Sequence, residues 1–323
     1  MKLYHKSICG QDIVVFVDID NTPLRIMAQS QNILNVGEVV QGKITHKNNT
    51  LKGYFIETDK KLPVFAQTTH QYNIGESVSV KIKKGARLGK DATGIILKNR
   101  EENYYPDLGL IISRQIGYPV SADKNNIITA AFIEEALETV HPIAQGAKIR
   151  LERTHACWTF DVDSAQSTLP LERINQEAVD EIARQILLKN ISGVILIDFA
   201  GPKTEKEQEK LMLLMLQRLF SDKSTEITGF TPARLMELKR THTAPSLPDI
   251  YLTSDGKKGV PLLILEIWER ITHFVGGLQT LTVHPVVKPQ LPEDFYTYCV
   301  IKTNPNFSID EYTLTGVYGN NAN

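Results

Sequence analysis

The sequence predicts a mixed α+β chain of several domains, and three observations lead to that fold class. Between residues 36 and 97 the chain is a succession of short strand-like runs broken by turns. Between residues 159 and 199 one helical pattern separates two strand-like runs, as in a βαβ unit. Beyond residue 249 a smaller mixture of helix and strand patterns follows. With 323 residues, 42% of them hydrophobic, the chain is long enough for two or three cores.

The bulk charge and the cysteines narrow the classes of protein. A formal net charge of −1 argues against a protein that coats nucleic acid nonspecifically, so any nucleic-acid site must be local. Cys9, Cys157 and Cys299 are scattered and odd in number, which excludes a cysteine zinc knuckle and suits a reducing cytoplasm. No apolar run reaches membrane-spanning length. We therefore expect a cytoplasmic protein with no membrane partner.

Residues 12–28 (DIVVFVDIDNTPLRIMA) predict a β-hairpin, because two strand-like runs flank an N-T-P turn. The stretch FVDIDNT within it resembles the first motif of haloacid-dehalogenase-type phosphatases. In that family the first aspartate is the nucleophile, the second is a general acid, and Mg²⁺ completes the site. This alternative would give those roles to Asp18 and Asp20. It requires a helix directly after the motif.

Residues 36–98 predict a small Greek-key barrel of the OB type, because five short strands occur in about sixty residues. Their opening pattern resembles the RNA-binding OB domain first seen in ribosomal protein S-one. Phe55 and Phe65, if exposed on a barrel face, would stack bases at ~1–3 kcal/mol each. The alternative is that both rings belong to the barrel core. The basic residues that would track phosphates, or only solvate an edge, are Lys81, Lys83, Lys84, Arg87 and Lys90.

Residues 159–199 predict two acidic strands joined by a helix. Asp161 and Asp163 alternate with apolar residues and so share a strand face. Residues 193–199 (GVILIDF) form a nearly continuous apolar run, typical of a strand covered on both faces, that ends with Asp198. The helix between them, residues 175–187, has Asn175 as its expected N-cap. A right-handed crossover sets the two strands parallel, so Asp161 and Asp198 should converge at one edge.

Converging carboxylates favour a hard cation such as Mg²⁺ or Mn²⁺, which accepts oxygen ligands and retains several waters. Such a site suits phosphodiester hydrolysis, since a metal both activates water and neutralises charge on phosphorus oxygens. The alternative is that Asp198 ends a strand as a turn residue and that Asp161 and Asp163 are merely solvated.

Three stretches together resemble the catalytic, DNase-I-like subdomain of the ribonuclease E/G family. They are TFDVDSA (159–165), NQEAVDEIARQ (175–185) and GVILIDF (193–199), followed by GFT (229–231), LMELKR (235–240) and APSL (244–247). The resemblance covers most of residues 145–248. It implies a metal-dependent endoribonuclease that cleaves single-stranded RNA to five-prime phosphate and three-prime hydroxyl ends. It also implies that the opening strands belong to an RNase-H-like subdomain without catalytic residues.

The resemblance assigns roles to single residues. Asp161 and Asp198 match the family's metal-binding aspartates, and Arg240 matches its catalytic-site arginine. Asp163 stands where the family usually has Asn, and we keep it as a catalytic candidate; Gln166 stands where the family has Arg. Both departures motivate an alternative function, a noncatalytic RNA-binding protein on the same scaffold. The barrel positions that match the family's RNA-contacting aromatic pair and lysine are Phe55, Phe65 and Lys90.

Two further departures concern the ends of the family-like region. Residues 106–114 (PDLGLIISR) resemble the strand before the family's sensor for a five-prime monophosphate, but Ser113-Arg114 replaces its Arg-Thr pair. The helical insertion that follows is reduced to one amphipathic helix near 127–140. Residues 246–248 (SLP) stand where the family has its cysteine zinc link. We therefore expect Mg²⁺ or Mn²⁺ without zinc, and a monomer or weak oligomer in place of a zinc-linked dimer.

The remaining elements complete a division into five segments. A helix near 203–220 should bury the apolar run 211–216, and the tail should contain a helix near 260–274 and strands at 296–302 and 312–318. The Asn-rich end is expected to be disordered. The predicted segments are residues 1–35 (RNase-H-like strands), 36–98 (OB-type barrel), 99–150 (reduced sensor region), 151–248 (DNase-I-like subdomain) and 249–323 (α+β appendage).

Overall fold

The computed structural model describes residues 1–31, 33–86, 90–124, 126–201, 204–242, 244–274 and 277–316. Arg87 of the predicted basic hairpin and the Asn-rich end lie outside the described residues. The chain forms two compact units. The first contains residues 1–15, 28–135 and the part after residue 247; the second contains residues 16–27 and 136–247. No helix within the described ranges is both long and apolar enough to cross a membrane.

The N-terminal strands belong to a four-stranded sheet in the order β3-β2-β1-β9. Their bounds are Lys2–Ile8 (β1), Gln11–Val17 (β2), Pro23–Ser30 (β3) and Val120–Ala122 (β9). In the β2–β3 turn the Asp18 carboxylate accepts hydrogen bonds from the N–H groups of Asp20 and Thr22 at 2.9 and 2.8 Å. The β-hairpin is confirmed. Strand β3 occupies the place where the phosphatase alternative requires a helix, so that interpretation is wrong.

Five strands close into a barrel in the order β4-β5-β6-β8-β7, which confirms the predicted closed barrel in a mixed α+β chain and is consistent with the OB type. Their bounds are Val39–Asn48 (β4), Gly53–Thr58 (β5), Pro63–Gln67 (β6), Ser77–Lys84 (β7) and Ala92–Ile96 (β8). Gly42 and Gly94 permit close strand approach, because a Cβ there would lie 2.6 or 2.5 Å from a neighbouring side chain.

The region after the barrel differs from the sequence prediction. A helix, α1 (Leu108–Ile116), occupies the place of the predicted strand. It begins at Asp107, whose side chain accepts a hydrogen bond from the Leu110 N–H at 2.8 Å, and ends at Gly117 with φ 78°. These two caps are helix signals that outweigh the strand-like apolar run between them. A second helix, α2 (Ala130–Leu137), lies inside the predicted 127–140 span but is shorter.

The C-terminal part of the first unit is a three-stranded sheet in the order β17-β16-β18. The helix Val260–His273 packs against this sheet in a shared hydrophobic core, and Ile267, Leu281 and Phe295 belong to that core. The predicted tail helix is confirmed, and so is the strand predicted at 312–318 over its described residues. Of the strand predicted at 296–302, residues 296–298 lie in a short helix and only the part from Cys299 is a strand. The bounds are Leu247–Tyr251 (α5), Val260–His273 (α6), Gln279–Val283 (β16), Phe295–Tyr298 (α7), Cys299–Thr303 (β17) and Tyr312–Gly316 (β18).

The second unit is a six-stranded sheet in the order β10-β11-β12-β13-β15-β14. The helices α3 and α4 share one hydrophobic core with this sheet. Strands β12 and β13 run parallel, as the predicted βαβ unit requires. The bounds are Val140–Pro142 (β10), Lys148–Arg153 (β11), Cys157–Asp163 (β12), Leu171–Leu188 (α3), Gly193–Asp198 (β13), Glu205–Arg218 (α4), Thr225–Phe230 (β14) and Met236–Arg240 (β15).

Three local predictions for this unit are wrong. Helix α3 begins at Leu171 after Pro170, so Asn175 is not its N-cap but a buried residue within it. In α4 only Leu211 and Met215 of the apolar run 211–216 are buried, and the Leu213 side chain faces outward. The continuous apolar sequence of β13 predicts a strand covered on both faces. Its burial alternates along the strand, so only one face is covered. Sequence hydrophobicity overestimates burial here because the sheet has one covered face and one open face.

A buried polar cluster joins the C-terminal end of α3 to β10. The Lys189 side chain is fully buried, and its ammonium contacts the Gln185 amide oxygen and His141 Nε2, the latter at 3.3 Å. Gln185 in turn donates to the Glu181 carboxylate at 2.7 Å. Burial lowers the pKa of Lys189 to about 7, and burial together with the Lys189 charge lowers the pKa of His141 to about 4.

The depressed pKa of Lys189 predicts how stability depends on pH. Between about pH 7 and its ordinary value of 10.5, the unfolded chain binds more protons at Lys189 than the folded chain. The free energy of unfolding should therefore rise with pH in that window, at up to ~1.4 kcal/mol per unit from this group. Lys189→Met should remove this rise. Urea unfolding of the parent and the variant between pH 7 and 9 measures it; parallel curves would contradict the assignment.

Candidate functional site

The predicted aspartate pair is brought together at one edge of the six-stranded sheet. Asp161 and Asp198 are the last paired residues of the parallel strands β12 and β13, directly opposite each other in register. Neighbouring strands lie about 4.8 Å apart, so both carboxylates occupy one small region. Both residues are exposed, while Phe160 and Ile197 beside them are buried in the core. The pair therefore lies on the open face, opposite the helices.

Two cations and a third carboxylate lie next to this pair. Arg150 of β11 is the register partner of Asp161, and Lys148 is the partner of Asp163. The Asp163 carboxylate is 3.6 Å from the Lys148 ammonium and 4.0 Å from the Arg150 guanidinium. Its other oxygen accepts a hydrogen bond from the Ala165 N–H at 2.8 Å. The edge therefore carries both signs of charge. The alternation KIRLER at 148–153 is the signal that would have found these two cations.

The chain segment after Asp198 is held by a side chain from α3. The Asn175 amide donates to the Ala200 carbonyl and accepts from the Ala200 N–H, each at 3.0 Å. Asn175 is 4% exposed, so the amide that makes both bonds is itself buried. This two-way amide contact fixes the backbone two residues beyond Asp198. Asn175 is thus a positioning residue. The sequence prediction of Asn175 as a helix cap did not reveal this role.

The residues at this edge are compatible with a hard divalent cation. Mg²⁺ is commonly bound by one or two carboxylates, with waters and substrate phosphates as the other ligands, and two exposed carboxylates in register meet that requirement. Among the described residues no group of three or more His, Cys, Asp or Glu side chains is arranged to hold a metal ion. A metal at this edge would therefore depend on Asp161 and Asp198 together with non-protein oxygen ligands.

Arg240 is not brought to the aspartate edge. Its register partner on β13 is Gly193, five positions and roughly 16 Å from Asp198 along the strand. Its side chain is fully buried, with Nε 2.7 Å from the Asp222 carboxylate and Nη1 2.9 Å from the Asn190 amide oxygen. Burial alone would raise the pKa of Asp222, but the hydrogen bond and charge of Arg240 lower it. These contacts describe a buried structural ion pair.

The second set of predicted residues lies on the outer face of the barrel in the first unit. Phe55 and Phe65 are register partners on β5 and β6, and their ring centroids are 5.1 Å apart. Both rings are partly exposed, whereas Tyr54, Ile56, Val64 and Ala66 form the interior. The interpretation of the two rings as barrel core is therefore wrong.

Sequence reasoning missed a third ring on this face. His46 of β4 is the register partner of Phe55 and stacks on it with a centroid distance of 4.4 Å and an interplanar angle of 15°. On the next strands, Thr93 of β8 is the register partner of Phe65, and Lys84 of β7 is the register partner of Thr93. Lys84 is exposed. Lys90 is exposed as well and precedes β8. We call His46, Phe55 and Phe65 the aromatic row.

A glycine under the aromatic row makes its geometry possible. A Cβ on Gly53 would lie 2.5 Å from the Phe65 ring and 2.5 Å from the Ala66 carbonyl oxygen. The Phe65 ring therefore lies over the backbone of β5. This contact covers a glycine that would otherwise leave the strand surface open.

The predicted sensor residues do not form a strand end. Ser113 and Arg114 lie in the last turn of α1, and the Ser113 hydroxyl donates to the Tyr118 carbonyl at 2.7 Å. Arg114 is exposed. The two side chains are therefore arranged by helical geometry, and the strand register assumed from the sequence does not apply.

Comparison with known proteins gives a partial match. The sequence model of the Ribonuclease E/G family matches residues 120–243. Ribonuclease G of Salmonella typhimurium (strain SL1344) is 30% identical over 125 residues, which are 36% of this chain and 26% of that protein. Ribonuclease E of Synechocystis sp. is 35% identical over 128 residues, 38% of this chain and 19% of that protein. The chain therefore spans about a quarter or less of the length of these relatives.

The buried position of Arg240 predicts a stability effect. Arg240→Gln leaves the Asp222 carboxylate without its partner, and breaking a buried ion pair costs about 3–5 kcal/mol. Lys239→Gln, on the exposed side of the same strand, is the matched control and should change stability little. Chemical unfolding measures both. An Arg240→Gln protein as stable as the parent would contradict the buried pair.

Proposed function

Residues 120–243 belong to the ribonuclease E/G family, and from that premise we propose that the protein is an endoribonuclease that cleaves single-stranded RNA. The observation that carries the proposal is the register of Asp161 opposite Asp198 on the open face of the sheet. The family match covers residues 120–243 alone, so the activity of the whole chain is our inference. Cleavage of AU-rich single-stranded RNA in Mg²⁺ or Mn²⁺ is the direct test.

In this proposal Asp161 and Asp198 hold one divalent metal ion. When bound, the ion would lower the pKa of a water and neutralise charge on the scissile phosphate. The chain's own part is to gather the two carboxylates, and to keep the Asp198 strand end fixed through Asn175. Products with a five-prime phosphate and a three-prime hydroxyl are proposed by resemblance to the family.

Arg150 and Lys148 take the electrostatic role that the resemblance gives to Arg240. Both lie beside the aspartates, and the Arg150 side chain is 46% exposed and so reachable by an RNA phosphate. A guanidinium donates two parallel hydrogen bonds to phosphate oxygens. In the absence of RNA, the negative charge of Asp163 neutralises part of the positive charge of Lys148 and Arg150. We propose this role for Asp163 in place of direct catalysis.

The barrel is proposed to bind the single-stranded RNA. Partly exposed aromatic rings in a row offer flat surfaces on which successive bases stack, and nearby lysines attract the backbone. The nearby lysines are Lys84, which follows the aromatic row in the register across the barrel, and Lys90. Both are exposed. Base stacking is tolerant of sequence, so this face would give affinity without strict base choice.

A second candidate function is noncatalytic RNA binding on the same scaffold. The observation that favours it is the ion pairing of Asp163 with Lys148, at a position where the family usually has Asn. A pre-formed ion pair at that place reduces the positive charge available to phosphate. The cleavage assay separates the two functions, because the second predicts binding without any metal-dependent product.

The aspartate pair predicts a selective loss of activity. Asp161→Asn and Asp198→Asn should each reduce cleavage by at least about a hundredfold, the scale of losing one transition-state electrostatic partner, with RNA affinity nearly unchanged. Glu152→Gln removes an exposed carboxylate from the neighbouring strand β11 and is the matched control. Rates and gel-shift affinities measured in parallel decide it. Parent-like cleavage by either Asp variant would mean that the site is misassigned.

The aromatic row predicts a loss of RNA affinity without unfolding. Phe55→Ala with Phe65→Ala should weaken single-stranded RNA binding by ~1–3 kcal/mol for each base that loses its ring. The melting temperature should fall only modestly, because the rings cover Gly53 and each other but neither is in the barrel interior. Ile56→Ala, inside the barrel, is the contrasting control and should lower the melting temperature. Unchanged RNA affinity in the double variant would remove the stacking role.

The sensor region predicts indifference to the five-prime end. A bound terminal phosphate needs several convergent donors, and the Ser113 hydroxyl already donates to Tyr118. Exposed Arg114 alone would not supply the rest. Five-prime-hydroxyl and five-prime-monophosphate forms of one RNA, competed in a single tube, should be cut at similar rates. A tenfold preference, about 1.4 kcal/mol, would show that the end is sensed.

A further inference from the structure

A cavity of about 330 Å³ lies in the second unit between the N-terminal halves of α3 and α4. Its volume is in the range of about 300–1,000 Å³ that small-molecule sites have. The cavity contains none of the residues to which the proposed function gives a metal-binding or RNA-binding role. It is therefore a separate candidate site.

The walls of the cavity combine apolar surfaces with unpaired polar groups. Leu171, Leu211, Leu214 and Ala200 supply the apolar surface, and Gln176 and Lys206 supply polar groups. Among the described residues the Gln176 amide and the Lys206 ammonium have no hydrogen-bond or ion-pair partner, whereas Lys210, also in the wall, is paired with Glu172. A carboxamide offers both a donor and an acceptor.

This combination matches a nucleobase better than a simple anion or an aliphatic ligand. A base has two apolar faces for contact with leucine side chains, and an edge with donors and acceptors for an amide. An anion would gain nothing from the leucines. An aliphatic ligand would leave the Gln176 amide buried without a partner, which costs free energy.

The cavity and the aspartate pair lie at the same edge of the sheet, the cavity on the helix-covered side and the carboxylates on the open side. The cavity's wall residues Ala200 and Gly201 follow Asp198 by two and three positions, so they lie no more than about 7–11 Å from it along the chain. Asn175, another wall residue, holds Ala200 by both backbone groups. A stacked strand rises about 3.4 Å per nucleotide along its axis, so this distance corresponds to about two or three nucleotides.

We propose that this cavity receives one unstacked nucleobase of the RNA, close to the phosphate that lies at Asp161 and Asp198. The position of that base along the RNA depends on the proposed function; the capacity of the cavity for a base does not. Base contacts here would supply the cleavage-site preference that stacking on the aromatic row leaves open.

Nucleotide binding to the full-length protein tests the proposal without any cleavage. The probes are the four nucleoside five-prime monophosphates, with ribose 5-phosphate as the control that lacks a base. Site-resolved NMR follows the Gln176 side-chain amide and the Gly201 backbone amide, so binding at the barrel is seen separately. We expect at least one nucleotide to shift both signals, and ribose 5-phosphate to leave them in place.

Two neighbouring leucines provide a matched pair of variants. Leu214→Trp should fill the cavity and weaken nucleotide binding at least tenfold, whereas Leu213→Trp, on a 57% exposed side chain outside the cavity, should keep it. Gln176→Ala gives a second test that leaves the packing unchanged. Equal shifts with ribose 5-phosphate, or equal affinities of both Trp variants and of Gln176→Ala with the parent, would overturn the proposal.

The outcome is distinguishable from failure of the proposed function. Nucleotide binding at Gln176 in a protein that cuts no RNA would overturn the endoribonuclease and leave the base site assigned. RNA cleavage without nucleotide binding at Gln176 would leave the endoribonuclease and overturn the base site.

Discussion

The parallel pairing of β12 with β13 is the constraint on which the candidate site depends. Side chains alternate along a strand, so a slip of one residue would direct one aspartate to the open face and its partner into the core. The observed register is fixed from the other side of the sheet, where Phe160 and Ile197 are fully packed under α3. Core packing therefore sets the position of two exposed carboxylates. The two negative charges repel each other, which destabilises this pairing. Burial of the apolar side chains on the other face of the same strands offsets that destabilisation.

The two ends of β13 use charge differently. At its start, Arg240 is buried and its Nε and Nη1 atoms are bound to Asp222, Asn190 and a backbone carbonyl, an arrangement that stabilises the fold but cannot contact a substrate. At its end, Asp198 is exposed and lies near Asp163, Arg150 and Lys148, whose contacts are long and water-accessible. Exposed pairs of this kind contribute little stability and exchange partners readily. An incoming phosphate and metal ion could displace these weak contacts at the exposed end, whereas the buried pair at the other end is closed to them.

Much of this arrangement was predictable, and the exceptions have physical reasons. The barrel and the βαβ unit follow from periodicity, which is why Asp161 and Asp198 were placed correctly opposite each other. Local sequence predicts Asn175 as a helix cap because it cannot reveal the contact of Asn175 with Ala200, 25 residues away. Arg240 looked catalytic by resemblance, yet a single sequence carries no sign that its strand runs antiparallel to β13. Residues 108–116 have a strand-like composition, and the caps Asp107 and Gly117 decide in favour of a helix.

The central claim is that Asp161 and Asp198 jointly hold a divalent metal ion. The most direct test is a crystal of the protein soaked with Mn²⁺, with anomalous scattering used to locate the ion. One anomalous peak is expected within about 2.0–2.3 Å of oxygens from both carboxylates, and it should be lost in Asp198→Asn. A peak elsewhere in the chain, or no peak at the edge at saturating Mn²⁺, would contradict it.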